Sequence, residues 1–152
     1  MGLLFLFVGK TKEGFVREGL DKYEKLAGHF VKLEVRELKG SSASDRQTAI
    51  EEEADAMLDR VGPGDILVAL DERGNNPTSV EFAGELSKFI ESGKTVVFAI
   101  GGPFGISDRI KARAQLVLSL SRLTFTHEMA RLVLMEQAYR ALTIIKGRTY
   151  HY

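Results

Sequence analysis

The 152-residue chain has 44% hydrophobic and 28% charged residues, the make-up of one ordinary folded domain rather than of a disordered, fibrous or membrane-embedded chain. Its 21 Lys/Arg balance 21 Asp/Glu, which argues against a protein that coats nucleic acid indiscriminately, because such binding is driven by phosphate neutralisation. With no cysteine and three histidines, it has no disulfide framework, no thiol nucleophile and no spacing that suggests a bound metal, and a reducing, cytoplasmic setting is favoured.

Residues 2–8 are an apolar run too short to span a bilayer and without the flanks of a secretory signal, so they read as a buried strand. From Thr11 the spacing of Val16, Leu20, Tyr23 and Ala27 predicts a helix. Over residues 30–38 the period changes to two, with Val31, Leu33 and Val35 alternating against Lys32, Glu34 and Arg36, as in a strand near a sheet edge. After a loop at 39–44, Ser44 or Asp45 is placed to cap a helix carrying Ile50, Ala54, Met57, Leu58 and Val61 on one stripe. Gly62, Pro63 and Gly64 end it, residues 66–70 read as a buried parallel strand, and 71–76 as a polar loop.

Thr78 and Glu81 have capping-box spacing ahead of an amphipathic helix with Phe82, Leu86, Phe89 and Ile90 that stops at Gly93. Residues 95–100 form another buried strand, 101–107 a glycine-rich turn, 108–114 a short helix and 116–120 a further strand. A loop at 121–126 leads to the longest helix, 128–146, with Leu132, Met135, Tyr139 and Leu142 along one side, and Gly147 releases a tail ending Tyr150, His151, Tyr152. Strand and helix alternate without repeat or linker, which predicts a single α/β domain over 1–152: a doubly wound, mainly parallel sheet with helices on both faces. In such sheets ligands bind beyond the carboxyl ends of the strands, so the loops after Leu70, Ile100 and Leu120 are where a site is expected.

The turn IGGPFGIS, 100–107, allows close backbone approach to a ligand but matches neither a dinucleotide nor a phosphate-loop pattern and lacks the lysine of the latter. In SLSRLTF, 119–125, hydroxyls and backbone amides suit an adenine or amino-acid group held by hydrogen bonds, or simply a turn with a cap at Thr126. Asp71, Glu72 and Arg73 read as a solvated loop or as groups facing a substrate. His127 is either a general base or a local capping residue at a helix start. The tail with Arg148, Tyr150, His151 and Tyr152 has the aromatic and cationic groups that stack on an unpaired base and hold phosphate, unless it is a frayed end. Glu136 and Arg140, four apart, share a helix face and can pair. Residues 108–152 carry 8 Lys/Arg against 3 Asp/Glu, whereas 1–107 carry 13 against 18, so the C-terminal third is the basic part, a local hint of an anionic partner.

Taken in order, LDERG, SVEFA, IGGPFG, SLSRLTFTH, EQAYRA and the terminal TYHY closely resemble the bacterial RlmH family of the SPOUT superfamily over nearly the whole chain. That resemblance implies a SPOUT-type α/β fold with a C-terminal deep trefoil knot, in a homodimer whose two chains complete each site. It implies an S-adenosylmethionine-dependent methyltransferase acting on N3 of pseudouridine 1915 of 23S ribosomal RNA in the assembled ribosome, without membrane or metal. By motif position, Leu70, Gly101, Leu120, Ser121, Arg122, Leu123, Thr124 and Phe125 are implied to bind the cofactor. His151, Glu136 and Arg140 are the implied catalytic candidates, and Arg148, Tyr150 and His151 the RNA-binding ones. Asn75 and Asn76 stand where relatives often have lysine, and Tyr152 where they end in a basic residue, so phosphate contacts there are expected to be weaker. A ribosome- or RNA-binding protein that retains the fold without catalysis is the alternative. An oxidoreductase is disfavoured by the missing dinucleotide fingerprint.

Overall fold

In the computed structural model, which describes residues 2–152, the alternation resolves into β1 (Gly2–Val8), α1 (Gly14–Ala27), β2 (Leu33–Leu38), α2 (Arg46–Leu58), β3 (Ile66–Asn75), α3 (Ser79–Glu91), β4 (Thr95–Ile100), α4 (Asp108–Arg113), β5 (Leu116–Leu118) and α5 (His127–Ile145). The strands form one five-stranded sheet in the order β2-β1-β4-β3-β5, every neighbouring pair parallel. The doubly wound α/β architecture expected from the pattern is therefore the one observed, and β2, whose side chains alternate between half-buried and exposed, lies at an edge.

Period-two alternation divides the strands' side chains between two cores. Phe5, Phe7, Val68, Val96 and Phe98 face α1, α3 and α5, packing with Val16, Leu20, Phe82, Leu86, Leu134 and Met135. Leu6, Val8, Leu67, Ala69, Val97 and Ala99 face α2 and α4, packing with Ala54, Met57 and Ile110. The first core is the larger, and Phe98 anchors it: its ring stacks on Phe5 at 4.9 Å and meets the edge of Phe82 at 6.4 Å. No helix among the described residues is long and apolar enough to cross a membrane.

Helix starts follow their caps. Thr78 Oγ1 accepts from the Glu81 amide at 3.1 Å while Glu81 Oε1 accepts from the Thr78 amide at 2.9 Å, the reciprocal box the spacing predicts. Asp45, not Ser44, caps α2, accepting from the Thr48 amide at 2.8 Å.

Several boundaries differ from the sequence expectation for physical reasons. Helix α1 begins at Gly14 rather than Thr11, because the Glu128 carboxylate takes the Lys12 and Glu13 amides and the Thr11 amide donates to Glu37. Strand β2 begins at Leu33, since the amides of residues 28–31 are occupied in turn bonds back to α1. In α2 the buried positions are Ala49, Glu53, Ala54 and Met57, with Ile50 only half-buried, so the stripe is rotated from the one read. The segment 71–75, expected as loop, continues β3, and Asn75 pairs with Leu118 after an irregularity that begins beyond Leu70. Gly74 makes this possible: a Cβ there would run into the backbone of Val117. Strand β5 ends at Leu118 rather than Leu120.

Candidate active site

Because all five strands are parallel, their carboxyl ends share one side of the molecule, and the loops that follow them share it too. There a cleft of about 790 Å³ opens at the ends of β3, β4 and β5, within the size range of ligand sites and where an open α/β sheet places them. Leu70, Ile100, Leu118, Leu120 and Ala130 give it apolar walls, and Gly101 and Gly102 a backbone floor. Ser121, Thr124, Asp71, Glu72, Arg46, Lys111 and His127 supply its polar groups.

Two loops and the far end of β3 meet at the cleft, and each loop is pinned. The segment after β5 is tied to the end of β3: the Ser119 amide donates to Asn75 O at 2.7 Å, Asn76 Nδ2 donates to Ser119 O at 2.9 Å, and Thr124 Oγ1 donates to Glu72 Oε2 at 2.9 Å. Asn75 and Asn76 thus hold the loop through a main-chain carbonyl and a side-chain amide. Within the same loop Ser121 Oγ accepts from the Leu123 amide at 2.9 Å. The glycine turn closes on itself through a Gly102–Gly105 bridge, with Gly105 at a φ of 94°. A Cβ at Gly101 would strike the Gly105 carbonyl and lie 3.2 Å from the Ile106 nitrogen. Arg46 from α2 covers the turn, donating to Phe104 O at 3.4 Å with its guanidinium 5.9 Å from the Phe104 ring.

Asp71 and Lys111 pair at the cleft wall. Burial pushes the Asp71 carboxyl up, but the Arg73 amide and the Lys111 ammonium outweigh it and hold it below the ordinary aspartate value. His127 is shifted down, first by burial and then by the positive Arg131 nearby, so its imidazole is neutral at pH 7.

Of the residues expected to bind a cofactor, Leu70, Gly101, Leu120, Ser121, Leu123, Thr124 and Phe125 all line this one cleft; Arg122 is exposed and does not. Leu123 and Phe125 stand at its lip, 78% and 36% exposed.

The catalytic and RNA-binding candidates gather elsewhere. Glu136 Oε1 accepts from Arg140 Nη2 at 2.7 Å and from Arg140 Nε at 2.9 Å, with the Tyr150 hydroxyl at 3.5 Å. Arg140 lies 4.8 Å from the centre of the Tyr150 ring, and its Nη1 is 3.2 Å from His151 Nδ1. Tyr139 meets the edge of Tyr150 at 4.7 Å. Burial pushes the Tyr150 hydroxyl up to about 12, so it remains a neutral donor. None of these residues touches the cleft. They begin nine residues along α5 from His127, roughly 14 Å at the helical rise of 1.5 Å per residue, and run on to the chain's end. Arg148 instead joins His29, Phe30, Tyr139, Thr143, Lys146 and Thr149 around a second groove of about 650 Å³.

Pattern reading missed a buried ionic group beside the cleft. Arg131 is fully buried, donating from Nη1 to Thr11 Oγ1 at 2.9 Å and from Nη2 to Val8 O at 2.6 Å, 3.7 Å from Glu37 and over the Phe7 ring at 5.0 Å. Glu37 in turn pairs with Arg17 at 3.0 Å. Glu53 is buried between Ser41 and Gly102. The partners lie far apart in the sequence, so no local spacing announces them.

A family model described as "Predicted SPOUT methyltransferase" matches residues 1–151. The chain is 44% identical over 156 aligned residues to ribosomal RNA large subunit methyltransferase H of Geobacter metallireducens, covering 100% of this chain and 99% of that protein. It is 42% identical over 147 residues to the protein of the same name from Thermotoga neapolitana, covering 97% of each. Among solved structures, a probable methylase family protein from Haemophilus influenzae aligns with a TM-score of 0.55 at 11% identity, over 99% of this chain and 70% of that one. The SpoU methyltransferase AviRb from Streptomyces viridochromogenes, solved in complex with AdoMet, aligns with a TM-score of 0.50 at 16% identity, over 95% of this chain and 58% of that one. At such identities the structural likeness speaks for the fold, while the full-length sequence matches speak for the family. The chain belongs to the SPOUT methyltransferase family, among the large-subunit ribosomal RNA methyltransferases H.

Proposed function

We propose that this methyltransferase uses S-adenosylmethionine to methylate N3 of pseudouridine 1915 in 23S ribosomal RNA, working in the cytoplasm as a homodimer on the assembled ribosome. The observation that carries the cofactor reading is the convergence of seven motif residues from strand β3 and two separate loops on one cleft. The lining fits the ligand: Leu70, Ile100, Leu118 and Leu120 offer the flat apolar surface an adenine needs, and main-chain groups of 120–125 offer hydrogen bonds beside the glycine floor. No lysine-bearing phosphate loop is present, and the ligand carries no phosphate. When bound, S-adenosylmethionine supplies a methyl group on a positively charged sulfur. The protein's own work is to hold the base edge in line with that group, exclude water and let N3 lose its proton.

Glu136 and Arg140 on α5, with Tyr150 and His151 of the tail beside them, do not line the cleft of their own chain, which supports a site shared between two copies. Exposed Leu123 and Phe125 at the cleft lip, with exposed Phe15 and Val80 in the first turns of α1 and α3 at the same side of the sheet, are apolar surface of the kind a second copy covers. In this reading Arg140 and His151 of one copy contact the target nucleotide in the other's cleft. Tyr150 holds their arrangement, and the groove with His29, Lys146 and Arg148 takes the RNA backbone. The knot implied by the resemblance belongs to the same reading.

Equilibrium binding of labelled S-adenosylmethionine tests the cofactor half of this proposal without needing RNA. Saturable binding with one cofactor per cleft is expected. Absence of binding together with retained ribosome association would turn the chain into a binding protein that kept the fold.

A further inference from the structure

A methyl acceptor nitrogen that carries a proton needs somewhere to send it, and the C-terminal cluster offers little room. Glu136 Oε1 already accepts from Arg140 and its Oε2 accepts from Gln137 Nε2 at 3.1 Å. His151 Nδ1 is already engaged by Arg140 Nη1 at 3.2 Å, and a guanidinium nitrogen can only donate. These groups are arranged to hold an anion or a base edge rather than to take up a proton.

In the cleft itself the position is different. His127 is the first residue of α5, set there by Thr126, whose Oγ1 accepts from the Met129 amide at 3.1 Å. Its ring is half-buried, lines the cleft, and makes no hydrogen bond among the described residues. A proton acceptor with both ring nitrogens unengaged and one face toward a ligand site is what such a transfer requires. We propose that His127 is the group that accepts the N3 proton during methyl transfer, so that the cleft supplies the base and the C-terminal cluster supplies only substrate binding. This rests on the methyltransferase reading above. In the step, the N3–H bond breaks and its proton goes to an imidazole nitrogen of His127, giving imidazolium. N3 forms its bond to the methyl carbon while the carbon–sulfur pair returns to sulfur, leaving a neutral thioether. Imidazolium then releases the proton to water.

The surroundings support a neutral resting imidazole. Burial, then Arg131, push its protonation to lower pH, and Lys12 adds to them; Glu128 on the same helix and Glu53 from α2 act the other way. Across the cleft stand Asp71, Glu72 and Arg73 of β3, Arg46 of α2, and Asp108 and Lys111 of α4. A base must be unprotonated to act, so the single-turnover rate should rise with pH through the His127 midpoint, below the ordinary histidine value of 6.5, and level off above it.

The test uses His127→Asn, which keeps a polar side chain at the helix start but does not titrate. Expected are a loss of about 100-fold or more in single-turnover methylation of ribosomes, cofactor and ribosome affinities within about twofold of wild type, and loss of the low-pH limb. A rate and pH profile matching wild type would overturn the proposal while leaving the methyltransferase reading intact; no methylation by the wild-type protein would sink both. Should the variant fold poorly, the wild-type protein still decides. The His127 ring titration followed by NMR in the cofactor complex should coincide with the midpoint of its rate profile, and a clear separation of the two would refute the assignment.

Discussion

Arg131→Ala is expected to lower the folding stability by about 3–5 kcal/mol, the cost of breaking a buried ionic arrangement at one partner, and to lower Tm by roughly 6–20 °C for a chain of this size. The guanidinium is fully buried and joins α5 to the ends of β1 and β2. Without it the Val8 carbonyl and the Thr11 hydroxyl lose their partner, and a void opens beside Phe7. Glu37 suffers less, because Arg17 and the Thr11 amide still hold it. Arg131→Met, which refills the volume but donates nothing, should therefore fall between wild type and Arg131→Ala in a urea titration. If the alanine protein unfolds at the wild-type midpoint, the buried group is not what joins these elements.

Gly101→Ala is expected to weaken S-adenosylmethionine binding by roughly 5–150-fold, the equivalent of the 1–3 kcal/mol that overpacking typically costs. The added carbon would meet the main chain of Gly105 and Ile106, and neither is a flexible side-chain end that swings away cheaply. The Gly102–Gly105 bridge must open, which displaces the floor of the cleft. Gly84→Ala on the exposed side of α3 is the control, since nothing lies within 4 Å of a Cβ there, and its affinity should match wild type. Calorimetric titration of both variants reads the difference. Wild-type affinity in Gly101→Ala would remove the glycine turn from the cofactor wall.

Those two positions show what pattern reading reaches and what it does not. The capping box at Thr78 and Glu81, the edge character of β2 and the parallel order of the buried strands follow from local spacing and period, and they appear as expected. Arg131 sits on a helix whose expected core stripe is Leu132, Met135, Tyr139 and Leu142; Met135 and Leu142 are buried, but Leu132 and Tyr139 are half-buried while Glu128 and Arg131 lie inside. Their hydrogen-bond partners are more than 100 residues away in sequence, so a helical wheel places them in solvent. Residues 71–75 read as loop because they are polar, and they are strand because Gly74 lets two backbones approach.

The cleft was legible in position but not in chemistry. Sheet topology alone directs attention to the loops after Leu70, Ile100 and Leu120. The identity of the ligand came from resemblance, because an apolar pocket with main-chain donors carries no charge signature in the sequence. The distance between the cleft and the cluster at Glu136, Arg140 and His151 was invisible for the opposite reason: each residue was named by motif, and only the direction of α5 shows how far apart they stand.

The most direct measurement of the central claim is transfer of labelled methyl from S-adenosylmethionine to ribosomes lacking the modification, with free large-subunit RNA and separated subunits in parallel and the product mapped to the atom. The account predicts label at N3 of pseudouridine 1915, strongest in assembled ribosomes and weak on naked RNA. Label at another nucleotide, or no transfer by protein that binds both cofactor and ribosome, would contradict it.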